Sequence, residues 1–168
     1  MTSRCFIVMG VSGCGKSSLA QAFAEQSGGV YLDADDFHPK DNLEKMSNGI
    51  PLTDSDRMGW LDVLNDQLRR HEKSGEGPLF MACSALKQAY RDRLRESVEV
   101  LDFLYLNGSF ELISERLRAR KDHFMPPGLL ASQFEALEKP EHAIWFDIVD
   151  PIDVICEKFF RQYPKLKR

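Results

Sequence analysis

Short apolar runs alternate with longer amphipathic stretches along the whole chain. Apolar runs bounded by polar turns are typical of buried strands, and apolar residues three and four positions apart are typical of helices. The runs predict strands over residues 5–9, 30–32, 78–83, 101–106 and 143–148, and the amphipathic stretches predict helices over about 17–27, 54–73, 86–96, 109–121, 128–138 and 151–163. This alternation predicts a parallel sheet with helices on both faces, which is an α/β fold of three layers, α/β/α.

The chain has the length of one domain. Its 168 residues show no internal repeat, low-complexity segment or interdomain linker, so we expect a single domain over residues 1–168. In a parallel sheet with helices on both faces, ligands bind at the carboxyl ends of the strands. The residues that directly follow each predicted strand are therefore the main candidates for function.

A glycine-rich segment after the first predicted strand carries the strongest functional signal. It has the sequence Gly10-Val11-Ser12-Gly13-Cys14-Gly15-Lys16-Ser17. In a phosphate-binding loop, glycines let backbone N–H groups wrap a polyphosphate, the lysine reaches the outer phosphates, and the serine offers its hydroxyl to Mg²⁺. Because a predicted strand precedes it and a predicted helix follows, the segment indicates a nucleoside triphosphate site rather than an ordinary glycine turn.

Composition argues against several classes of function. A net charge of −4 disfavours a general nucleic-acid-binding protein, so a site for anionic ligands must gather its positive charge locally. No apolar stretch has the length of a membrane span, and the N-terminus lacks a signal-peptide pattern, which predicts a cytosolic protein. The four cysteines form no CxxC pair or metal-ligand spacing. They are predicted to be reduced thiols without zinc.

Three carboxylates and an imidazole follow the second predicted strand, in the segment Asp33-Ala34-Asp35-Asp36-Phe37-His38-Pro39. Carboxylates beside a transferred phosphoryl group can order Mg²⁺ or accept a proton from an attacking hydroxyl. The alternative is that Asp35 and Asp36 only cap the next helix. The third strand ends without the aspartate that usually orients the metal in phosphate-loop enzymes. Asp33 is therefore the candidate for that role, and Ser84 could add a hydroxyl.

Two pairs of cations are spaced four residues apart, so that each pair lies on one helical face: Lys87 with Arg91, and Arg116 with Arg120. The second pair leads into the polar segment 121–128, whose prolines and glycine are typical of a lid. Arginines there could close over a triphosphate and neutralise charge during phosphoryl transfer. For both pairs the alternative is an exposed, solvated helix face.

Nucleotide binding alone is compatible with a molecular switch, a kinase or a non-catalytic nucleotide-binding module. A guanine-specific switch would need an Asn-Lys-x-Asp element late in the chain, and the sequence has none. The kinase and the non-catalytic module both stay open on these motifs alone.

Several further strings, taken with the phosphate loop, resemble the gluconokinases of the small phosphate-loop type. Besides the aspartate segment 33–39, they are Asn42-x-x-Lys45-Met46, Pro51-Leu52-Thr53-Asp54-x-Asp56-Arg57-x-x-Trp60-Leu61, Cys83-Ser84-Ala85-Leu86-Lys87, Tyr90-Arg91-Asp92 and His123-Phe124-Met125-Pro126. The resemblance runs from about residue 5 to residue 140. It is much more specific than the phosphate loop alone.

The resemblance implies ATP-dependent phosphorylation of D-gluconate at its 6-hydroxyl, giving 6-phospho-D-gluconate for the pentose phosphate route. The family is similar in fold to shikimate and adenylate kinases, with a five-stranded parallel core and a mobile lid, here at about residues 121–132. It also implies a homodimer.

The resemblance further implies roles for individual residues. Lys16, Asp35 and Arg120 would be catalytic, with Asp35 acting on the substrate hydroxyl as base or orienter. Mg²⁺ would be held by Ser17 and Asp33. ATP would be bound by Gly10, Val11, Ser12, Gly13, Cys14, Gly15, Lys16, Ser17, Ser18, Arg116 and Arg120. Gluconate would be bound by Asp35, His38, Lys45, Arg57, Ser84, Lys87, Arg91 and Gln133.

The chemistry of the substrate agrees with these roles. Gluconate has a carboxylate at one end, which Arg57 and Lys45 could bind. It also has hydroxyls, from which Asp35 and His38 could accept hydrogen bonds. The departures from the family pattern are small: Cys14 stands where serine is more usual, and Ala34 and Asp36 vary within the aspartate segment. They leave open how Asp33 and Asp35 divide their roles. A kinase of the same fold acting on another small hydroxy acid or on a nucleotide remains the main alternative.

Overall fold

The computed structural model describes residues 2–120 and 127–168. Its strands are β1 (Cys5–Met9), β2 (Val30–Asp33), β3 (Leu79–Ala82), β4 (Leu101–Asn107) and β5 (Ile144–Asp147). Its helices are α1 (Lys16–Ser27), α2 (Lys40–Ser47), α3 (Asp54–Ser74), α4 (Gln88–Arg95), α5 (Phe110–Ala119), α6 (Pro127–Ala136) and α7 (Ile152–Gln162). Short 3₁₀ helices cover Ala34–Phe37 and Pro164–Leu166.

The strands form one parallel sheet in the order β2-β3-β1-β4-β5. Strand β1 lies in the centre, where Cys5 is opposite Leu79 of β3 and Leu101 of β4. Because all strands are parallel, their carboxyl ends share one edge of the sheet. The five predicted strands are therefore confirmed, with ends that agree or shift by one residue.

Side chains of β1 divide the core between the two faces of the sheet. Phe6 and Val8 pack in a cluster with residues of α1 and α7, whereas Cys5, Ile7 and Met9 pack in a second cluster with residues of α3 and α4. Successive residues of a strand point to opposite faces, so one fully apolar strand can serve two cores. Helices on both faces confirm the predicted three-layer arrangement.

The structure contains helix α2, which the apolar pattern of the sequence does not predict. Its apolar residues Leu43 and Met46 are 50% and 43% exposed, and Asn42 is its one buried residue. A helix without a buried apolar stripe leaves no period for the sequence to show. Helix α3, in contrast, begins as predicted behind Thr53, whose hydroxyl accepts from the Asp56 N–H in a capping box.

The predicted lid and the search for a membrane-spanning helix can be compared only with the residues that the structure describes. Of the predicted lid, residues 121–126 lie outside the described residues, and residues 127–132 belong to α6. Within residues 2–120 and 127–168, no helix combines the length and the apolar character that a membrane span requires.

Candidate active site

The glycine-rich loop follows β1 at the centre of the carboxyl edge of the sheet. Gly13 and Gly15 have φ values of 84° and 96°, which side chains other than glycine rarely adopt. Gly15 is also the N-cap of α1, so the first N–H groups of this helix have no intrahelical partner and face the loop. A Cβ on Gly13 would lie 2.7 Å from Leu117 Cγ of α5. The loop therefore has the open backbone amides and the tight packing that an anion cradle needs.

Lys16 lies over this loop. Its Nζ donates hydrogen bonds to the carbonyl oxygens of Gly10 (3.0 Å) and Val11 (3.1 Å). These two bonds hold the ammonium group at the loop, where the outer phosphates of a nucleotide would lie. Cys14, in the same loop, is buried, and burial raises the pKa of its thiol, while the charges of Lys16 and Arg120 oppose this rise. Cys14 is thus a neutral packing residue of the loop.

The other cysteines are also unreactive thiols. All four cysteines are buried and free of disulfide bonds, as the sequence predicts. Burial raises the pKa of Cys5 and of Cys83 to about 12. Thiolates form little at neutral pH in such surroundings, so a cysteine nucleophile is not part of this site.

Asp33 ends β2 beside the start of α1. Its Oδ2 accepts from the hydroxyls of Ser17 (3.4 Å) and Tyr31 (3.3 Å), and its Oδ1 accepts from the Asp35 N–H (2.9 Å). Mg²⁺ prefers oxygen ligands and usually takes one or two carboxylates together with phosphates and water. In the described ranges there is no cluster of three or more His, Cys, Asp or Glu side chains fit to hold a metal on its own. The Ser17 and Asp33 pair fits a magnesium ion that is also held by phosphates.

Asp35 presents its carboxyl group to the open edge of the sheet. Its side chain is 85% exposed, and its Oδ1 lies 3.8 Å from His38 Nε2. Desolvation by the surrounding protein and the nearby Asp33 charge raise the pKa of Asp35. The side chain that caps the short 3₁₀ helix is Asp33, and the N-cap of α2 is Pro39, without a side-chain hydrogen bond. The capping alternative for Asp35 and Asp36 therefore has no counterpart in these contacts.

His38 is held rigidly behind Asp35. Its side chain is only 6% exposed and stacks on Trp60, with 4.3 Å between ring centroids. The Asn42 Nδ2 lies 3.4 Å from His38 Nδ1, and Trp60 Nε1 donates to the Ala34 carbonyl (2.7 Å). Desolvation lowers the pKa of His38, so the imidazole is neutral at pH 7. This ring can orient a neighbouring hydroxyl or carboxyl group without adding charge.

A cluster of two cations, a phenol and a carboxylate joins α3 to the start of α4. Asp54 Oδ1 accepts from the Tyr90 hydroxyl (2.5 Å) and from Lys87 Nζ (3.4 Å), and it lies 3.8 Å from Arg57 Nη1. Arg57 also donates to the Leu52 carbonyl (2.9 Å) and to the Tyr90 hydroxyl (3.4 Å). Two positive charges thus share one aspartate, which leaves a net positive charge of the kind that a sugar acid would need.

Lys45 is placed differently from Arg57. Its Nζ forms an ion pair with Asp56 Oδ1 at 2.8 Å. This hydrogen bond, with the Thr53 N–H, lowers the pKa of Asp56 to about 2. Lys45 therefore pairs with Asp56, whereas Arg57 and Lys87 both lie beside Asp54, and the role of Lys45 in binding the substrate carboxylate stays a prediction.

Arg91 does not face an open surface. It is 3% exposed, and its two terminal nitrogens donate to the carbonyl oxygens of Ala85 (2.6 Å), Leu86 (3.2 Å) and Glu138 (2.7 Å). This burial does not agree with the predicted contact between Arg91 and the substrate. It does not agree with the alternative either, in which Arg91 lies on a solvated helix face. Because Ala85 has a φ of 45°, an unfavourable value for alanine, Arg91 stabilises a strained turn between β3 and α4.

Two predicted substrate residues lie close to the glycine-rich loop. The Ser84 carbonyl accepts from the Gly10 N–H (3.3 Å), which places the turn after β3 next to the loop. Gln133 of α6 bonds to Ser12, with its Oε1 accepting from the Ser12 N–H (2.7 Å) and its Nε2 donating to Ser12 Oγ (2.9 Å). Gln133 thus contacts the glycine-rich loop directly, and its contact with the substrate stays a prediction.

The predicted arginine pair lies in the last turn of α5 and at its C-cap. Arg116 donates from Nη2 to the Ile148 carbonyl (2.5 Å), in the segment between β5 and α7. Arg120 is exposed and ends α5 as its C-cap. The two arginines therefore differ, since Arg116 is fixed to the main chain whereas Arg120 extends from the helix end.

Sequence reasoning missed Tyr31, Asp54 and Tyr90 as members of the site. Asp54 is three positions before Arg57, and Tyr90 three positions after Lys87, so each lies on the same helical face as a predicted cation. That spacing was a usable signal for the pairs within each segment. The contact between the segment of Asp54 and the segment of Tyr90 could not be predicted from the sequence, because it depends on how α3 and α4 pack.

Comparisons with known proteins agree with this geometry. None of the protein-family models searched matches the chain. The thermosensitive gluconokinase of Escherichia coli (strain K12) is 47% identical over 141 residues, which cover 84% of this chain and 75% of that protein. A gluconokinase of Gluconobacter oxydans (strain 621H) is 40% identical over 163 residues, with 95% and 91% coverage. The crystal structure of a gluconokinase from Sinorhizobium meliloti 1021 has a TM-score of 0.85 at 41% identity and covers 99% of this chain and 94% of that chain. The chain therefore belongs to the gluconokinase family.

Proposed function

We propose that this protein transfers the terminal phosphoryl group of ATP to the 6-hydroxyl of D-gluconate, giving ADP and 6-phospho-D-gluconate. The observation that carries the proposal is the order of groups along one edge of the sheet. The phosphate cradle follows the central strand, the charge of its Lys16 acts on Asp35, and the charge of Arg57 in the cation cluster acts on His38, so the carboxyl and imidazole pair is near both. A substrate with a hydroxyl at one end and a carboxylate at the other fits this order.

ATP is the phosphoryl donor in this proposal. The backbone amides at the start of α1 hold the phosphates, and Lys16 moves from the Gly10 and Val11 carbonyls toward the outer phosphates. Arg116 is fixed beside the Ile148 carbonyl, where the base would approach, and Arg120 neutralises charge on the transferred group. Phosphoryl transfer needs mainly positioning and charge neutralisation, which these residues supply.

Ser17 and Asp33 would hold Mg²⁺ together with the nucleotide phosphates. When bound, the ion offsets the charge of the phosphates. The Tyr31 hydroxyl and the Asp35 N–H fix the Asp33 carboxylate from the protein side. Asp33 is therefore the metal residue, and Asp35 is left free to act on the acceptor.

Asp35 accepts the proton of the attacking hydroxyl. A raised pKa makes its carboxylate a better base than an ordinary aspartate, and its exposed position lets a substrate reach it. The neutral His38, stacked on Trp60, orients the carboxyl group or the adjacent hydroxyl. Ser84, in the turn beside the loop, can donate a further hydrogen bond to the acceptor.

Arg57 and Lys87 bind the substrate carboxylate. Guanidinium groups bind carboxylates through two parallel hydrogen bonds, and Arg57 is already held by the Leu52 carbonyl. Asp54 keeps the two cations together before the substrate arrives. Lys45, paired with Asp56, supports the start of α3 and adds positive charge at longer range. The product would enter the pentose phosphate pathway in the cytoplasm, and we expect the active form to be a homodimer.

The experiment that tests the function is a coupled assay of ADP release with a substrate panel. The panel contains D-gluconate, other sugar acids, shikimate, nucleoside monophosphates and no acceptor. We expect ADP release to depend on gluconate, and NMR of the product to show phosphate on the 6-oxygen. ADP release with another acceptor alone would reassign the substrate. ATP binding without acceptor-dependent ADP release would instead indicate a nucleotide-binding module.

A further inference from the structure

Gln133 forms a clamp on the third residue of the glycine-rich loop. Its Oε1 accepts from the Ser12 N–H at 2.7 Å, and its Nε2 donates to Ser12 Oγ at 2.9 Å. Because the Ser12 N–H needs an acceptor, the two ends of the Gln133 amide are assigned by these contacts. The clamp joins α6 to a main-chain amide of the phosphate cradle, across 121 positions of sequence.

The residues that directly follow α6 are bound to the other half of the site. The Glu138 N–H donates to the Leu86 carbonyl (2.8 Å), and Glu138 Oε1 accepts from the Gln88 N–H (2.7 Å). The Glu138 carbonyl accepts from Arg91 Nη2 (2.7 Å). These three bonds fix the turn that carries Lys87, one of the cations proposed to bind the substrate carboxylate.

The main chain is continuous between these two contacts. The Leu137 N–H donates to the Gln133 carbonyl (2.9 Å), so the helical hydrogen-bond pattern runs from the clamp to the residue before Glu138. Leu130, one turn before the clamp, is buried in the core on the α1 face. Because one hydrogen-bonded stretch of main chain links the two contacts, a displacement at Gln133 can be passed on to Glu138.

We propose that α6 couples the nucleotide site to the sugar-acid site, with Gln133 as the positioning residue. The proposal rests on the proposed function. Phosphate oxygens compete with Gln133 Oε1 for the Ser12 N–H, so the clamp has different contacts with and without nucleotide. A ligand shifts an equilibrium through such differential contacts. The shift reaches the turn at Lys87 through Glu138, and gluconate therefore binds with different affinity to the free enzyme and to the nucleotide complex.

The alternative is that the clamp only supports α6. A purely structural clamp would lower thermal stability when it is removed, but it would leave the ratio of the two gluconate affinities unchanged. That ratio is therefore the readout that separates the two roles. Thermal stability of each variant is measured alongside it.

The test measures gluconate binding by titration calorimetry, with and without a saturating non-hydrolysable ATP analogue and Mg²⁺. For the unmodified protein we expect gluconate to bind at least about fivefold more tightly in the presence of the analogue, the lower end of typical coupling between sites. In Gln133→Ala the ratio falls toward one, because the nucleotide-free protein lacks the clamp that nucleotide would otherwise release and its gluconate affinity approaches that of the nucleotide complex. Glu138→Ala, at the other end of the segment, also reduces the ratio, because it removes the bond to the Gln88 N–H.

Two further variants sharpen the result. Gln133→Met keeps the volume without the polar group and replaces the alanine variant if that one does not fold. Glu135→Ala, at an exposed position of the same helix, is the matched control and keeps the full ratio. A ratio near one in the unmodified protein, or an unchanged ratio in both Gln133 variants, overturns the coupling. Absence of gluconate binding in either state would instead contradict the proposed function.

Discussion

The Tyr90 hydroxyl donates to Asp54 Oδ1 at 2.5 Å, and this bond joins the first turn of α3 to the first turn of α4. Desolvation and the Asp54 charge raise the pKa of Tyr90, so the phenol remains a donor at physiological pH. The same Asp54 oxygen also faces Lys87 and Arg57. Tyr90 thus supplies one of the hydrogen bonds that the Asp54 carboxylate accepts. Both cations, Arg57 and Lys87, are therefore more available to a substrate carboxylate.

Tyr90→Phe is expected to weaken gluconate binding. Without the phenol, Asp54 turns more fully to Arg57 and Lys87 and competes with the substrate carboxylate. The loss of one hydrogen bond of this kind corresponds to about 0.5–1.5 kcal/mol, or roughly a two- to tenfold rise in KM for gluconate. Steady-state kinetics check this, with KM for ATP as the internal control. A lower KM for gluconate would show that Tyr90 obstructs the site.

Arg57→Ala is expected to have a larger effect on the same constant. Loss of a charge-assisted contact to a carboxylate corresponds to about 1.5–3 kcal/mol, or about ten- to a hundredfold in KM. ATP affinity should stay nearly unchanged. The control is Arg70→Ala on the same helix, an exposed arginine that pairs with Asp66. Equal KM values for gluconate in the two variants would remove Arg57 from the site.

Lys16→Ala and Asp35→Asn are expected to fail in different ways. Lys16 engages the phosphates before and during transfer, so its loss should impair both ATP binding and turnover. Asp35→Asn removes the proton acceptor and should lower kcat by about 10²–10⁴ while ATP affinity is preserved. Turnover and equilibrium nucleotide binding are measured for both variants. Near-normal kcat in Asp35→Asn would transfer the role of proton acceptor to Asp33.

Asp35→Asn should also change stability in a direction that a helix cap would not. The pKa of Asp35 is raised in the folded protein, so its ionised form is disfavoured there, and stability falls as pH rises from its ordinary value of 3.8 through the folded value. An uncharged asparagine avoids this loss. At pH 7 we therefore expect the variant to be equally or more resistant to urea. Reduced resistance would mean that Asp35 is a structural residue.

Thr53→Ala is expected to destabilise the start of α3. The Thr53 hydroxyl accepts from the Asp56 N–H (3.1 Å), and loss of such a cap typically costs about 1 kcal/mol. Urea denaturation measures this cost, with the neighbouring Ser55→Ala as control. Because the start of α3 positions Asp54 and Arg57, KM for gluconate should rise as well. Unchanged stability would show that the capping box contributes little here.

Local patterns predicted the sheet and the glycine-rich loop after β1, because both depend on residues that are close in sequence. The apolar run 5–9 and the loop after it needed no knowledge of distant contacts. The helix around Asn42 could not be predicted, since its stability does not come from a buried apolar stripe. The burial of Arg91 was equally hidden, because its partners at Ala85, Leu86 and Glu138 are main-chain carbonyls, which any sequence possesses.

The contacts that Gln133 and Lys45 make within the protein show a second limit of sequence reasoning. Both are polar residues in the resembling region, and the sequence placed both among the substrate ligands. The structure gives Gln133 to Ser12 and Lys45 to Asp56. A polar side chain binds the nearest complementary group, and for these two residues that group lies on another element whose position follows from packing.

The connection between β2 and β3 carries most of the residues that we propose to contact the acceptor. It includes the Asp35 and His38 pair, the Arg57 position and the Trp60 platform, whereas the glycine-rich loop follows β1. One continuous segment of chain can thus be exchanged while the nucleotide loop is retained. Because Lys87 lies in the turn after β3 and shares Asp54 with Arg57, we expect a graft of residues 34–78 to transfer acceptor preference only when a lysine at that turn accompanies it.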